Sequence, residues 1–223
     1  MFLQVVIVIL ASYLVGSIPI GLIVVKLLSG KDVRQVGSGR VGGTNAMRAA
    51  GFLAGLLTAL FDAGKGILAG YLAALLVPGS TWVKVVAVVM AVLGQVFSVF
   101  LLEKNSEGKL AFHGGAGGAT TLGGTIALFP MSWAVIIPLS VLVFVFVGYA
   151  SVTTISISLF SLILLAVRAI NGIGPWEYAT YGLLSLVIVM YALRPNLKRL
   201  KEGTERVVGL RAYLQKKKAV NEK

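Results

Sequence analysis

The stretch ATTLGGTIALFPMSWAVIIPLSVLVFVFVG, running from Ala119 to Gly148, decides the fold. Read as one helix kinked at Pro130 it gives the chain six membrane spans, and read as two helices it gives seven. The part before the proline, Ala119 to Phe129, rises through about half of a hydrocarbon core that is roughly 30 Å thick. It crosses only if the glycine-rich backbone beside it is buried in protein or lines a wet cavity. The remaining apolar runs are Phe2 to Leu28, Phe52 to Val77, Trp82 to Leu102, Met131 to Gly148, Val152 to Ala169 and Trp176 to Leu193.

Cation placement chooses between the two counts, because Lys and Arg near span ends collect on the cytoplasmic side. With seven spans, Lys26, Lys31, Arg34, Arg40, Arg48, Lys104, Lys109 and all ten cations from Arg194 to Lys223 share one face, leaving Lys84 and Arg168 opposite. With six, the ten-cation tail falls outside. The sequence therefore predicts an all-α integral membrane bundle of seven transmembrane helices, the fourth short and followed by Pro130, N-terminus outside and C-terminus cytoplasmic. Residues 1–193 read as the membrane domain with glycine-rich cytoplasmic loops, and 194–223 as a basic cytoplasmic tail.

Composition points the same way. Of 223 residues, 57% are hydrophobic and 13% charged, where soluble domains carry about 25% charged residues. The formal charge of +12 on so apolar a chain suits an anionic membrane face rather than nucleic acid. The absence of Cys excludes thiol nucleophiles, disulfides and Cys-ligated metals, and a single His excludes a multi-histidine site. The first run lacks a basic leader and exceeds a signal core of about 7 to 15 residues, so it reads as a retained span. Gly64, Gly66 and Gly70 mark positions where helix backbones approach closely.

Two inner loops carry the candidate chemistry. The first reads VGSGRVGGTNAMR from Val36 to Arg48, and Gly37, Gly39 and Gly42 satisfy G-x-G-x-x-G. A dinucleotide fold needs a preceding strand and a soluble βαβ unit, which a loop between membrane spans excludes. What survives is an anion site: converging glycine amides, polar contacts from Ser38, Thr44 and Asn45, and charge from Arg40 and Arg48. A flexible loop of small residues is the competing reading. The second loop, FHGGAGGATT from Phe112 to Thr121, places Gly114, Gly115 and Gly117 before the short helix, where a helix N-terminus suits phosphate. A glycine-rich re-entrant connection without ligand reads equally well. His113 is the sole candidate imidazole for proton transfer. Asp62 and Lys65, three apart in an apolar span, must pair with each other or face a polar cavity; an ion pair positioning helices and a substrate-binding Lys65 both fit.

These motifs together resemble the bacterial PlsY family, integral-membrane glycerol-3-phosphate acyltransferases that use acyl phosphate as donor. The resemblance runs from Leu14 to about Glu205. It rests on Gly37-Ser38-Gly39, Thr44-Asn45 with Arg48, Asp62 with Lys65-Gly66, Phe112-x-Gly114-Gly115-x-Gly117 followed by Ala119-Thr120, Tyr149-x-Ser151, and Asn196, Arg199-Leu200 and Gly203-Thr204-Glu205. It implies seven helices, an inner-face site in the bacterial plasma membrane, and acyl transfer from acyl phosphate to glycerol 3-phosphate, giving lysophosphatidic acid for phospholipid synthesis. It also implies no acyl-enzyme, metal or cofactor. By position it implies that Ser38 and Arg48 hold phosphate or acceptor, with Ser151 and Asn196 completing a polar pocket. The chain departs from the family at Ala116 in place of Lys, Leu193 in place of His, Arg40 in place of Asn, and Gln95 in place of His, with about ten residues inserted around Glu103 to Ala111. A catalytically silent homologue that binds lipid precursors, or regulates an acyltransferase, is the alternative reading. The broken fourth and fifth helices also fit a transporter, though no inverted repeat supports one.

Overall fold

The computed structural model describes residues 1–104 and 110–221. Lys109 and Lys223, two cations used for the topology above, lie outside the described residues. Eleven α-helices are described: α1 Phe2–Ser17, α2 Ile20–Ser29, α3 Gly43–Ala50, α4 Phe52–Leu76, α5 Thr81–Val96, α6 Gly118–Leu128, α7 Trp133–Leu142, α8 Ala150–Ile170, α9 Trp176–Ala192, α10 Arg194–Lys201 and α11 Gly209–Asn221. One small antiparallel hairpin, β1 Leu102–Lys104 and β2 Leu110–Phe112, pairs Leu102 with Phe112 where the sequence carries the extra residues. The α-helical class stands, with that hairpin as a local addition.

Among the described residues, five segments are long and apolar enough to cross a membrane: Phe2–Ser29, Phe52–Leu76, Thr81–Leu101, Pro130–Val147 and Ala150–Ile170. The α9–α10 pair, bent by 64°, makes a sixth if counted as one span. Large apolar side chains face outward along the spans, including Phe52, Leu60, Phe146 and Ile163. In a protein with so much exposed apolar surface, lipid is the solvent of those faces.

Helix α6 ends at Leu128, Phe129 is extended, and Pro130–Ser132 forms a 3-10 turn into α7, so the stretch from Ala119 to Gly148 is two helices rather than one kinked helix. The first apolar run is not continuous either. It breaks between Ser17 and Ile20, because Pro19 has no N–H to offer the helix ladder.

Small residues set the spacing of the bundle. A side chain on Gly66 would strike the Thr120 carbonyl oxygen and the Gly124 nitrogen, and one on Gly123 would strike the Ala63 carbonyl oxygen. Helices α4 and α6 therefore meet backbone to backbone, as membrane helices without a hydrophobic driving force do. Gly70 meets Ala127 in the same seam, but Gly64 faces open space and packs nothing, against the expectation above. Beside the seam, Val85, Val88, Val92, Leu128, Leu165 and Tyr181 form the central core, with the Tyr181 hydroxyl donating to the Thr121 carbonyl at 2.8 Å.

Candidate functional site

At the end of the bundle holding both glycine loops lies a cavity of about 790 Å³. The first loop contributes Ser38, Gly39 and Arg40, the second His113, Gly114 and Gly115, and the α9–α10 bend Tyr191, Arg194 and Pro195. Six of the residues singled out in the sequence thus share one wall.

Asn45 makes the first loop's shape. Its buried amide donates to the carbonyls of Val33, Val36 and Arg40 at 3.0, 2.8 and 2.9 Å and accepts from the Ser38 N–H at 3.2 Å. Gly37 adopts φ +56°, a conformation that favours glycine, and a side chain there would also strike the Asn45 oxygen. The Gly39 N–H donates to Val36 O at 3.0 Å. Two loop amides expected to converge on a phosphate are therefore used inside the loop, and what remains for a ligand is the Ser38 hydroxyl and the guanidiniums.

The guanidiniums are crowded. Burial first, and then the neighbouring Arg199, hold Arg40 below the usual arginine range, while Arg40 donates to the Ala192 carbonyl at the end of α9. Burial and then Arg206 act likewise on Arg48. Arg48 and Arg206 both flank Gly37. Among the described residues one carboxylate, Glu205, serves this group: it accepts from Arg199 at 3.1 Å and from the Asn196 amide at 2.9 Å. Four guanidiniums around one carboxylate leave positive charge uncompensated, the electrostatics of an anion site.

A second charged chain crosses the cavity rim. Asp32 pairs with Arg34 at 2.7 Å, and Arg34 also binds Glu103 from the hairpin. The Arg34 side-chain hydrogen bond holds the Asp32 carboxyl below the usual range. His113 Nε2 stands 3.8 Å from the Glu103 carboxylate. The second loop is held by α5 and by the 3-10 turn at Val99–Leu101 that follows it, since the Gly115 N–H donates to Gln95 O at 2.8 Å and the His113 N–H to Leu101 O at 3.2 Å. These amides too are used internally.

Lys65 lies elsewhere, in a buried knot. It pairs with Asp62 at 2.7 Å, donates to Gln95 Oε1, and donates to Ile18 O at 2.5 Å and Gly16 O at 3.3 Å, carbonyls beside the Pro19 break. Gln95 returns a hydrogen bond to Asp62 at 3.0 Å. Of the other expected residues, Thr44 is half-buried in the first turn of α3, and Gly117 precedes α6 against Val92, Val96 and Val189. Ser151 is buried in the first turn of α8. The Ser151 hydroxyl and the Asn196 carbonyl oxygen have no hydrogen-bond partner among the described residues. The sequence reading missed Gln95 as a partner of Lys65, Arg206 beside Gly37, and Tyr191 and Arg194 on the cavity wall. Their only sequence signal was chemistry without an address.

Comparison with known proteins adds to this geometry. The family profile described as glycerol-3-phosphate acyltransferase matches residues 6–203. A glycerol-3-phosphate acyltransferase of Thermus thermophilus is 40% identical over 91% of this chain and 94% of its own. Glycerol-3-phosphate acyltransferase 2 of Moorella thermoacetica is 35% identical over 90% of this chain and 96% of its own. Among solved structures, PlsY (YgiH), an integral membrane glycerol 3-phosphate acyltransferase, superposes in its glycerol 3-phosphate form with a TM-score of 0.80 at 29% identity, over 94% of this chain and 98% of that one. Its lysophosphatidic acid form gives 0.79 at 27% identity with the same coverage.

Proposed function

The chain belongs to the glycerol-3-phosphate acyltransferase family, and from that premise we propose how its residues divide the work. It is a multi-pass membrane enzyme that transfers an acyl group to glycerol 3-phosphate and yields lysophosphatidic acid. The donor is an acyl phosphate. A hydroxyl oxygen of glycerol 3-phosphate attacks the acyl carbonyl carbon, a C–O ester bond forms, and the bond from that carbon to the phosphate oxygen breaks. Inorganic phosphate leaves with the electron pair and takes up the hydroxyl proton, so no side chain becomes acylated.

The observation that carries this assignment is the cluster of Arg40, Arg48, Arg199 and Arg206 around Glu205, next to Ser38 and the cavity. Arg48 and Ser38 hold the acceptor's phosphate. Arg40 and His113, both on the cavity wall, stabilise the departing phosphate, in a chain where Ala116 and Leu193 supply no charge. Leu193 is buried and turned into the core, which supports giving its neighbours that task. Ser151 and Asn196 complete the polar pocket with their unpartnered oxygens. Gly37, Gly39, Gly114, Gly115 and Gly117 act through shape, letting the loops approach α5 and the α9–α10 bend. Thr44 and Asn45 fix the first loop, and Lys65 positions α1, α4 and α5.

Both loops and the basic tail lie on the cytoplasmic side of a bacterial plasma membrane, with α6 as a short fourth span among seven and the N-terminus outside. Residues 1–193 are the membrane domain and 194–223 the cytoplasmic tail. Phosphate release by the purified protein in detergent, given acyl phosphate with and without glycerol 3-phosphate, tests the reaction. Acceptor-dependent release matched by lysophosphatidic acid is expected, and release indifferent to the acceptor refutes the donor assignment.

A further inference from the structure

Helix α11 lies past residue 203, where the family profile ends. The chain reaches it as a pinned strap. Val207 bridges Tyr149, the Val208 N–H donates to Gly148 O at 2.9 Å, and Gly209 adopts φ +59° where a side chain would strike the Phe144 carbonyl. Arg211 stacks over the Tyr149 ring at 4.7 Å. The start of α11 is thereby fixed against Val143–Val147, the π-helical end of a candidate membrane span.

From there the helix turns an apolar face outward. Leu210, Tyr213 and Leu214, at i, i+3 and i+4, are 42%, 63% and 53% exposed. The adjoining end of the span is also bare and apolar, with Phe146 67% exposed. Cations accompany the face: Arg211, Lys217 and Lys218 are all exposed. An apolar stripe with basic neighbours, continuous with a lipid-facing helix end, has the pattern of a helix lying in a membrane interface. A second copy of this chain fits poorly, since it brings the same cations against these.

We propose that α11 lies in the plane of an anionic phospholipid leaflet, with Leu210, Tyr213 and Leu214 in the headgroup–acyl boundary and its cations on lipid phosphates. The inference needs the chain to span a membrane and needs none of the residue roles assigned above.

The chain has no Cys, so Leu214→Cys takes an environment-sensitive fluorophore at one position. The labelled protein is placed in nanodiscs of phosphatidylcholine alone or mixed with phosphatidylglycerol. A blue shift and protection from an aqueous quencher are expected only with phosphatidylglycerol, reversed by high salt. A label at Gln215→Cys, on another face of the helix, stays quenchable in both. Lys217→Glu with Lys218→Glu should lower the docked-to-undocked ratio at least about tenfold, leaving acyl transfer in detergent unchanged. Emission indifferent to phosphatidylglycerol overturns the proposal. So does protection that grows with protein concentration, which assigns the face to a second copy.

Discussion

Replacing Lys65 with Met should destabilise the protein while leaving the acceptor's KM nearly untouched. The ammonium has four partners inside the protein: Asp62, Gln95 and the carbonyls of Gly16 and Ile18. Its side chain is 4% exposed and that of Asp62 is 3% exposed. Without Lys65, the Asp62 carboxylate keeps, among the described residues, only the Gln95 amide at 3.0 Å. An uncompensated buried charge costs about 3 to 5 kcal/mol, a fall in Tm of roughly 6 to 20 °C in a chain of this size. Asp62→Leu combined with Lys65→Met removes both charges and should recover most of that loss, because an apolar pair of similar volume often replaces a buried ion pair without cost. Thermal unfolding followed by fluorescence of Trp82, Trp133 and Trp176 gives the stability side of the cycle. Steady-state phosphate release gives KM and kcat. An unchanged Tm for Lys65→Met together with a KM raised tenfold or more would refute the positioning role and make Lys65 a substrate ligand.

Four other outcomes follow from the same geometry. Arg48→Ala should raise KM for glycerol 3-phosphate at least about tenfold, since a charge-assisted contact contributes about 1.5 to 3 kcal/mol; a normal KM would assign Arg48 to lipid headgroups. Asn45→Ala strips partners from three carbonyls and one N–H and should cost about 2 to 4 kcal/mol of stability, with activity falling alongside. Reporter fusions at Lys201 and near Gly79 should report cytoplasm and exterior respectively, and the same side for both would refute seven spans. The Asp32 pKa is lowered in the folded state by Arg34, so its contribution is present above the ordinary carboxylate range and lost as pH falls through the lowered pKa. Parent and Asp32→Asn should therefore differ most in Tm at neutral pH and converge in acid.

Apolar runs gave away the bundle because lipid-facing helices need only length and hydropathy, and Pro130 gave away the end of α6 because a missing N–H acts locally. Pro19 has the same chemistry, but it sits inside a run long enough to span, and hydropathy does not register a broken ladder. The spacing of Asp62 and Lys65 puts them on one face and left a mutual pair and a substrate-binding Lys65 both open; packing brings them together as a pair. Gln95, which completes their knot, is 30 residues from Lys65 and comes near only through packing. The glycine loops show the limit most clearly. Composition shows that amides can converge, but not that Asn45, Val36 and Gln95 already hold those of Ser38, Gly39 and Gly115. Gly64 and Gly66 are alike in sequence, and only the position of α6 separates an idle glycine from a necessary one.

The α4–α6 seam bears on how substrates arrive. A carrier works by alternating access, in which one group of helices rocks against another around a central site. Rocking needs an interface with two comparable packings, and side chains that interdigitate can supply them. Gly66 and Gly123 bring carbonyl and amide groups of facing backbones into direct contact, and a side chain at either position would strike those same groups. The middle of the molecule is thus a fixed frame, and access to the cavity belongs to the loops and the α9–α10 bend at one end. On the function proposed above, reactants that enter at that end also leave there, and the chemistry changes what one leaflet contains without carrying anything across it.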